Sequence, residues 1–256
     1  MSTTTTLLLL VTITAIFSLV AGDWNILSPK WKNGVGINLK NYCESWRINV
    51  ELNNIRDFDV VPDECVNYIG KYMTSTQYKA DSERAVEECS IYLSNTFQLT
   101  GDGKDAWIFD IDDTLLSTRP YFKNHNYGGE ILNKTSLEEW MRKGKAPVLD
   151  HTLRLYNEIK RRGLKIFLIS SRGECLRDAT VNNLVKEGYY SWTGLILRGA
   201  EDSNKGVQKY KTEQRKMLIN NGYRIWGIVG DQWSSLLGLP NAKRTFKLPN
   251  SLYYDS

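Results

Sequence analysis

The sequence predicts an α/β fold, a parallel sheet with helices on both faces, on three observations. From Asp105 onward short apolar runs alternate with longer amphipathic ones, the grammar of repeated β-α-β units. The amphipathic runs stop near Gly163, Gly188 and Gly222, the residue type that most often follows a helix C-terminus. Three of the apolar runs end in polar, chemistry-bearing residues, at the carboxyl ends where an open parallel sheet presents its site.

Taken in order, Ala106–Asp110 reads as the first strand, a buried run that stops abruptly in carboxylates. Lys165–Ser170 is the second, Leu195–Leu197 a short third, Ile225–Asp231 the fourth and Thr245–Leu248 a fifth. Helices are expected between them over His151–Arg162, Glu174–Glu187 and Lys211–Asn220. The segment 117–148 interrupts the first crossover, and its Trp, Tyr, Gly and Lys content suits a small cap over the strand ends. The core with this cap is expected over 105–256. Residues 23–104 read as a helical N-terminal segment, with a helix start at Val61-Pro62-Asp63-Glu64 and an amphipathic helix over Asp81–Leu99.

A length of 256 residues suits one large α/β domain or a domain plus an extension, and 41% hydrophobic residues excludes a disordered chain. The net charge is +4 and no Lys/Arg run is long, so nucleic acid is not expected as a partner. The uncharged run Leu7–Val20 is shorter than the roughly 20 residues of a spanning helix. It leads into Val20-Ala21-Gly22, and residues 1–22 read as a secretory signal peptide, with no membrane segment after its removal. A secretory route permits disulfides. Of Cys43, Cys65, Cys89 and Cys175, the first two are the preferred pair because both lie in the N-terminal segment, and the others either pair or stay as buried thiols. Asn133-Lys134-Thr135 is a glycosylation acceptor pattern.

Parallel strands bring their carboxyl ends to one edge, so Asp110, Asp112, Ser170 and Asp231 are expected to converge. Lys211 is read as opening a helix aimed at the same crevice, and is preferred to Lys205 and Lys209 because Arg215 lies one turn on. Clustered carboxylates need a hard cation, most simply Mg²⁺. The set of carboxylates, hydroxyl and ammonium suits Mg²⁺-assisted phosphoryl transfer. Arg172 is left between a phosphate contact and a salt bridge. His125, in the cap, reads as a hydrogen-bonded loop residue, with a contact to the leaving group as its other reading, and His151 reads as part of a helix start. The Trp residues are assigned to packing.

Asp110-Ile111-Asp112-Asp113-Thr114 resembles the D-x-D-x-T signature of haloacid dehalogenase-like phosphatases, whose core is Rossmann-like, and Ser170, Lys211 and Asp231 fall where that superfamily keeps its later motifs. Tyr42-Cys43-Glu44-Ser45-Trp46-Arg47, Asn53-Asn54-Ile55-Arg56-Asp57, Tyr210-Lys211-Thr212, Gly230-Asp231-Gln232-Trp233-Ser234 and Phe246-Lys247-Leu248-Pro249-Asn250 resemble the plant class B acid phosphatases and vegetative storage proteins. The resemblance implies that Asp110 is a nucleophile forming an aspartyl-phosphate, and that Asp112 is the general acid and base. It implies Mg²⁺ on Asp110, Asp231 and the Asp112 carbonyl, a phosphoryl hydrogen bond from Ser170 and charge compensation by Lys211. It further implies a small phosphate monoester as substrate, a secreted or vacuolar location and a homodimer.

Two positions depart from the pattern: Ser235 stands where the family usually has an acid, and Ser171 where it usually has glycine. Retention of Asp110 favours an acid phosphatase. Ser235 pulls toward the alternative, a storage protein with vestigial activity. A binding protein using the same pocket is the poorest reading, because it would leave Asp112 idle.

Overall fold

The computed structural model describes residues 38–255. The leader assigned to residues 1–22 lies outside the described residues. The chain begins with α1 (Leu39–Glu51), α2 (Val66–Met73) and α3 (Thr76–Thr96). Cys43 on α1 is disulfide-bonded to Cys65 at the start of α2, with a Cα–Cα distance of 5.2 Å. Cys89 is a buried free thiol and Cys175 an exposed one, so the second pair does not form and only one of the two is interior.

β1 (Asp105–Phe109) follows, then α4 (Arg119–Lys123) and α5 (Lys134–Arg142), α6 (Asp150–Arg161), β2 (Lys165–Gly173), α7 (Arg177–Lys186) and β3 (Gly194–Arg198). The chain ends with α8 (Val207–Asn220), β4 (Arg224–Gly230), the single turn α9 (Trp233–Leu236) and β5 (Arg244–Lys247). The five strands form one sheet in the order β3-β2-β1-β4-β5, and every neighbouring pair is parallel.

Period-two alternation decides what each sheet face buries. Trp107 and Phe109 of β1 join Ile166, Leu168 and Phe246 against Leu93 of α3 and Leu155, Tyr156 and Ile159 of α6. Ala106 and Ile108 turn the other way, with Phe167, Ile169 and Ile228, against Tyr210 and Leu218 of α8. Both faces are therefore covered, and the expected α/β fold is the observed one.

The boundaries differ in three informative places. The helix expected to begin at Asp81 starts at Thr76, because Ser75 caps it by accepting from the Tyr78 N–H. β2 runs on through Arg172 to Gly173, where Gly173 pairs with Arg198 after an irregular register. α8 begins at Val207, so Lys211 sits in its second turn and does not open it.

The segment 117–148 also packs differently from a simple cap. Its Tyr121 and Phe122 are buried in a second core with Trp46, Ile69, Met73 and Tyr78 of the N-terminal helices and with Leu252 of the C-terminal segment. These aromatics join three distant stretches of chain.

Two features lead to tests of stability. Gly227 on β4 is in register with Trp107, and a Cβ there would lie 2.3 Å from the indole ring. The ring is fully buried and has nowhere to go. Gly227→Ala is therefore expected to cost about 1–3 kcal/mol by overpacking, and a denaturant midpoint equal to wild type would contradict this. His151, in the first turn of α6, is buried and its Nε2 has no partner.

Burial pushes the His151 imidazole down to about 4, with Arg154 and Arg119 acting in the same direction and Glu83 and Asp150 opposing. The unfolded imidazole binds its proton near 6.5 and the folded one only near 4, so stability is full above pH 6.5 and falls between 6.5 and 4. The loss below pH 4 is on the order of 3 kcal/mol. His151→Phe should flatten this part of the stability curve, and an unchanged slope in the variant would show that His151 is not its source.

Candidate active site

Asp110 is the first residue after β1. Its N–H donates to the Val229 carbonyl at 3.0 Å, which fixes it between the two central strand ends. It is 5% exposed. Its Oδ1 accepts from the Ile111 N–H at 2.8 Å. Its Oδ2 accepts from Lys211 Nζ and from Ser235 Oγ, both at 2.6 Å. Lys211 Nζ also donates to Ser235 Oγ at 2.8 Å, closing a triangle.

Lys211 is buried, and the carboxylates of Asp110 and Asp255, with a smaller contribution from Asp231, hold its ammonium in the charged form against burial. Lys209 is exposed. Lys205 is spent on Asp202 at 2.7 Å and Glu213 at 2.6 Å. Neither competes for Asp110.

Asp231 follows β4 directly and is buried. Thr114 Oγ1 accepts its N–H at 3.1 Å and lies 3.2 Å from its Oδ1, tying the loop after β1 to the loop after β4. Its Oδ2 takes hydrogen bonds from Asn250 Nδ2 at 2.8 Å, Gln232 Nε2 at 3.2 Å and the Tyr253 hydroxyl at 3.2 Å. Burial, then the charges of Asp110 and Asp113, push its carboxyl well above the usual range.

Asp113 adopts φ 46°, which Asp tolerates better than most residues. It turns away to accept from the Thr118 N–H at 3.0 Å and the Thr118 hydroxyl. Burial raises its carboxyl as well.

Asp112 is part-exposed, and the Arg172 fork holds it through Nη2–Oδ1 at 2.7 Å and Nε–Oδ2 at 3.0 Å. Arg172 is buried and also donates to Thr180 Oγ1. Of its two sequence readings, the salt bridge is the one seen, and its partner is Asp112. Ser170 is fully buried and its Oγ accepts from the Arg172 N–H at 3.2 Å. Asp110, Lys211 and Asp231 thus share one cluster, with Asp112 and Ser170 joined through Arg172.

His125 stays in the inserted segment, stacked on Tyr121 at 4.0 Å. Tyr253, Asn250, Gln232 and Asp255 were not expected here. They come from loops without periodicity, and only Gln232 and Asn250 lay within quoted motifs.

Among the described residues no group of three His, Cys, Asp or Glu side chains could hold a metal ion by itself. Mg²⁺ asks for less: one or two carboxylates, with water or substrate completing its shell. Asp110 and Asp231 supply two hard oxygen donors. Burial, then the charges of Asp110 and Asp113, raise the Asp231 carboxyl, and a cation bound beside it would favour its ionised form. The residues therefore fit such an ion.

The family model described as HAD superfamily, subfamily IIIB (Acid phosphatase) matches residues 31–256. Acid phosphatase 1 of Solanum lycopersicum is 42% identical over 212 residues, covering 83% of both chains. The Stem 28 kDa glycoprotein of Glycine max is 44% identical over 214 residues, again covering 83% of both. Vegetative storage protein 1 of Arabidopsis thaliana is 40% identical over 226 residues, covering 87% of this chain and 82% of the relative. Among solved structures, a class C acid phosphatase from Bacillus anthracis with tungstate bound superposes with a TM-score of 0.62 at 18% identity, covering 74% of this chain and 85% of that one. That likeness is one of fold. The chain belongs to the subfamily IIIB acid phosphatases of the HAD superfamily.

The buried triangle makes a direct test of stability. Lys211→Met leaves the Asp110 carboxylate buried without its cation and should cost about 3–5 kcal/mol. Adding Asp110→Asn should recover most of that loss. Equal denaturation midpoints for Lys211→Met and wild type would refute the pairing.

Proposed function

We propose that this member of the acid phosphatase family hydrolyses phosphate monoesters through an aspartyl-phosphate on Asp110. The observation that carries the reading is the position of Asp110, at the carboxyl end of the central strand with an ammonium and a hydroxyl on its Oδ2. Its Oδ1 is left with only a backbone N–H. The free side of this carboxylate attacks phosphorus, forming the Oδ–P bond as the ester P–O bond breaks.

Asp112 gives its proton to the departing alkoxide in that step. In the second step it takes a proton from water, which attacks phosphorus, frees phosphate and restores Asp110. The Arg172 fork fixes the orientation of the Asp112 carboxyl for both proton transfers. The Ser170 Oγ accepts from Arg172 and keeps its own proton for a phosphoryl oxygen. Lys211 compensates charge on the transferring group.

Asp110 and Asp231 carboxylates and the Asp112 carbonyl would hold Mg²⁺, whose chemistry is to neutralise charge on the phosphoryl oxygens. A secretory or vacuolar route is consistent with the glycoprotein and storage names of the relatives. Among the described residues no helix is long and apolar enough to cross a membrane.

Ser235 supports a second reading. With both its hydroxyl and Lys211 on the Asp110 Oδ2, the nucleophile is held in a satisfied resting state, as suits a storage protein with vestigial turnover. Phosphate release from an aryl phosphate separates the two. Metal-dependent turnover in wild type, lost by at least 10³-fold in a folded Asp110→Asn variant, is expected on the loss of a nucleophile. Unchanged release in the variant would overturn the nucleophile. Negligible release by folded, Mg²⁺-supplied wild type would select the storage reading.

A further inference from the structure

The chain treats the two oxygens of the buried Asp231 carboxylate differently. Oδ2 takes three donors: Asn250 Nδ2 at 2.8 Å, Gln232 Nε2 at 3.2 Å and the Tyr253 hydroxyl at 3.2 Å. Oδ1 takes one, the Thr114 hydroxyl at 3.2 Å. A carboxylate oxygen offers about two acceptor sites. Oδ2 is therefore filled, and Oδ1 keeps a site open.

Each donor on Oδ2 is aimed by a second contact. The Asn250 Oδ1 accepts from the Leu252 N–H at 2.9 Å, which turns its Nδ2 toward Asp231. The Gln232 amide joins Asp231 to the chain end: its Nε2 also donates to the Tyr253 carbonyl at 3.2 Å, and its Oε1 accepts from the Asp255 N–H at 3.3 Å. The Tyr253 ring stacks on Phe122 with centroids 5.1 Å apart, and its hydroxyl also lies 3.2 Å from Asp113 Oδ2. Asn250 and Gln232 are buried, so bulk water does not compete for their bonds.

Divalent cations differ in what they ask of a carboxylate. Mg²⁺ is small, demands near-octahedral geometry and takes one or two carboxylates with water. Ca²⁺ takes more oxygens in a looser shell and readily uses both oxygens of one carboxylate. Asp110, the other carboxylate that would hold the ion, also has its Oδ2 occupied, by Lys211 and Ser235. Neither side chain offers a cation two free oxygens.

We propose that Asn250, Gln232 and Tyr253 are positioning residues that make Asp231 a one-oxygen ligand, and that they thereby set the preference of the site for Mg²⁺ over Ca²⁺. The inference rests on the reading that Asp110 and Asp231 hold a divalent cation. It adds that the segment after β5, with Gln232 as its bridge to Asp231, decides which cation the site takes.

The test compares wild type, Tyr253→Phe, Asn250→Ala and the double variant. Tyr253→Phe keeps the ring on Phe122 and removes only the hydroxyl. Each protein is stripped of ions with chelator and titrated calorimetrically with Mg²⁺ alone and with Ca²⁺ alone. Loss of the donors frees Oδ2 for Ca²⁺ and loosens the orientation that Mg²⁺ needs, a loss worth about tenfold or more in metal affinity. The ratio of the Ca²⁺ Kd to the Mg²⁺ Kd should therefore fall by more than about threefold in Asn250→Ala and further in the double variant, with a smaller fall in Tyr253→Phe. A smaller change in the double variant overturns the inference and leaves the cation reading standing. Weaker binding of both ions by one common factor also overturns it, because a merely structural role lowers both affinities alike. A folded wild type that binds neither ion refutes the cation reading, and the inference falls with it.

Discussion

The buried ion pair between Asp110 and Lys211 is the constraint around which the carboxyl edge of the sheet is built. Asp110, Asp113 and Asp231 are all buried within a few side chains of one another. Two like charges about 4 Å apart repel by roughly 4 kcal/mol even at an effective dielectric near 20. A single ammonium cannot offset three carboxylates, so the rest of the site distributes the excess. Asp113 is satisfied by Thr118 and Tyr253. Asp231 is surrounded by Thr114, Gln232, Asn250 and Tyr253. Asp112 is turned outward onto Arg172.

That distribution explains why such distant pieces of chain meet here. β1 is central, so the carboxyl ends of β2 and β4 flank it, and Arg172 at the end of β2 and Asp231 just after β4 arrive by topology. α8 brings Lys211 from one sheet face. One turn on, Arg215 donates to the carbonyls of Ser235 at 3.0 Å, of Leu237, and of Gly238 at 3.2 Å. A buried guanidinium thus shapes the loop that presents Ser235. The inserted segment contributes Phe122, on which Tyr253 stacks, so the second core becomes a foundation for groups that touch Asp231.

The sheet and the convergence of Asp110, Ser170, Lys211 and Asp231 were legible because each rests on a periodic signal or on a polar residue ending an apolar run. The remainder was not, for physical reasons. Tyr253 and Asp255 follow the last strand in a stretch with neither a period of 2 nor of 3.6, so no pattern says where it returns. Arg172 had two chemically sound partners, and only the continuation of β2 beyond Ser170 turns its fork to Asp112. Tyr121 and Phe122 signalled burial but not the surface buried, and the N-terminal helices compete for them with the strand ends. Ser75 was a cap hidden among other polar residues, which is why α3 starts a turn early.

Ser235 shows how one functional group redirects the electrostatics of the cluster. A hydroxyl can donate to Asp110 and accept from Lys211 at once, as it does here. A carboxylate can only accept, so an acid at this position would draw Lys211 away from Asp110 and add a fourth negative charge. With serine, the ammonium stays on Asp110 and the local uncompensated charge falls on Asp231. The same hydrogen bonds that make this arrangement stable occupy the Oδ2 of Asp110 with two donors. On the proposed role of Asp110 as nucleophile, stability of the buried cluster and reactivity of its central carboxylate oppose each other. The side chain at position 235 sets the balance between them.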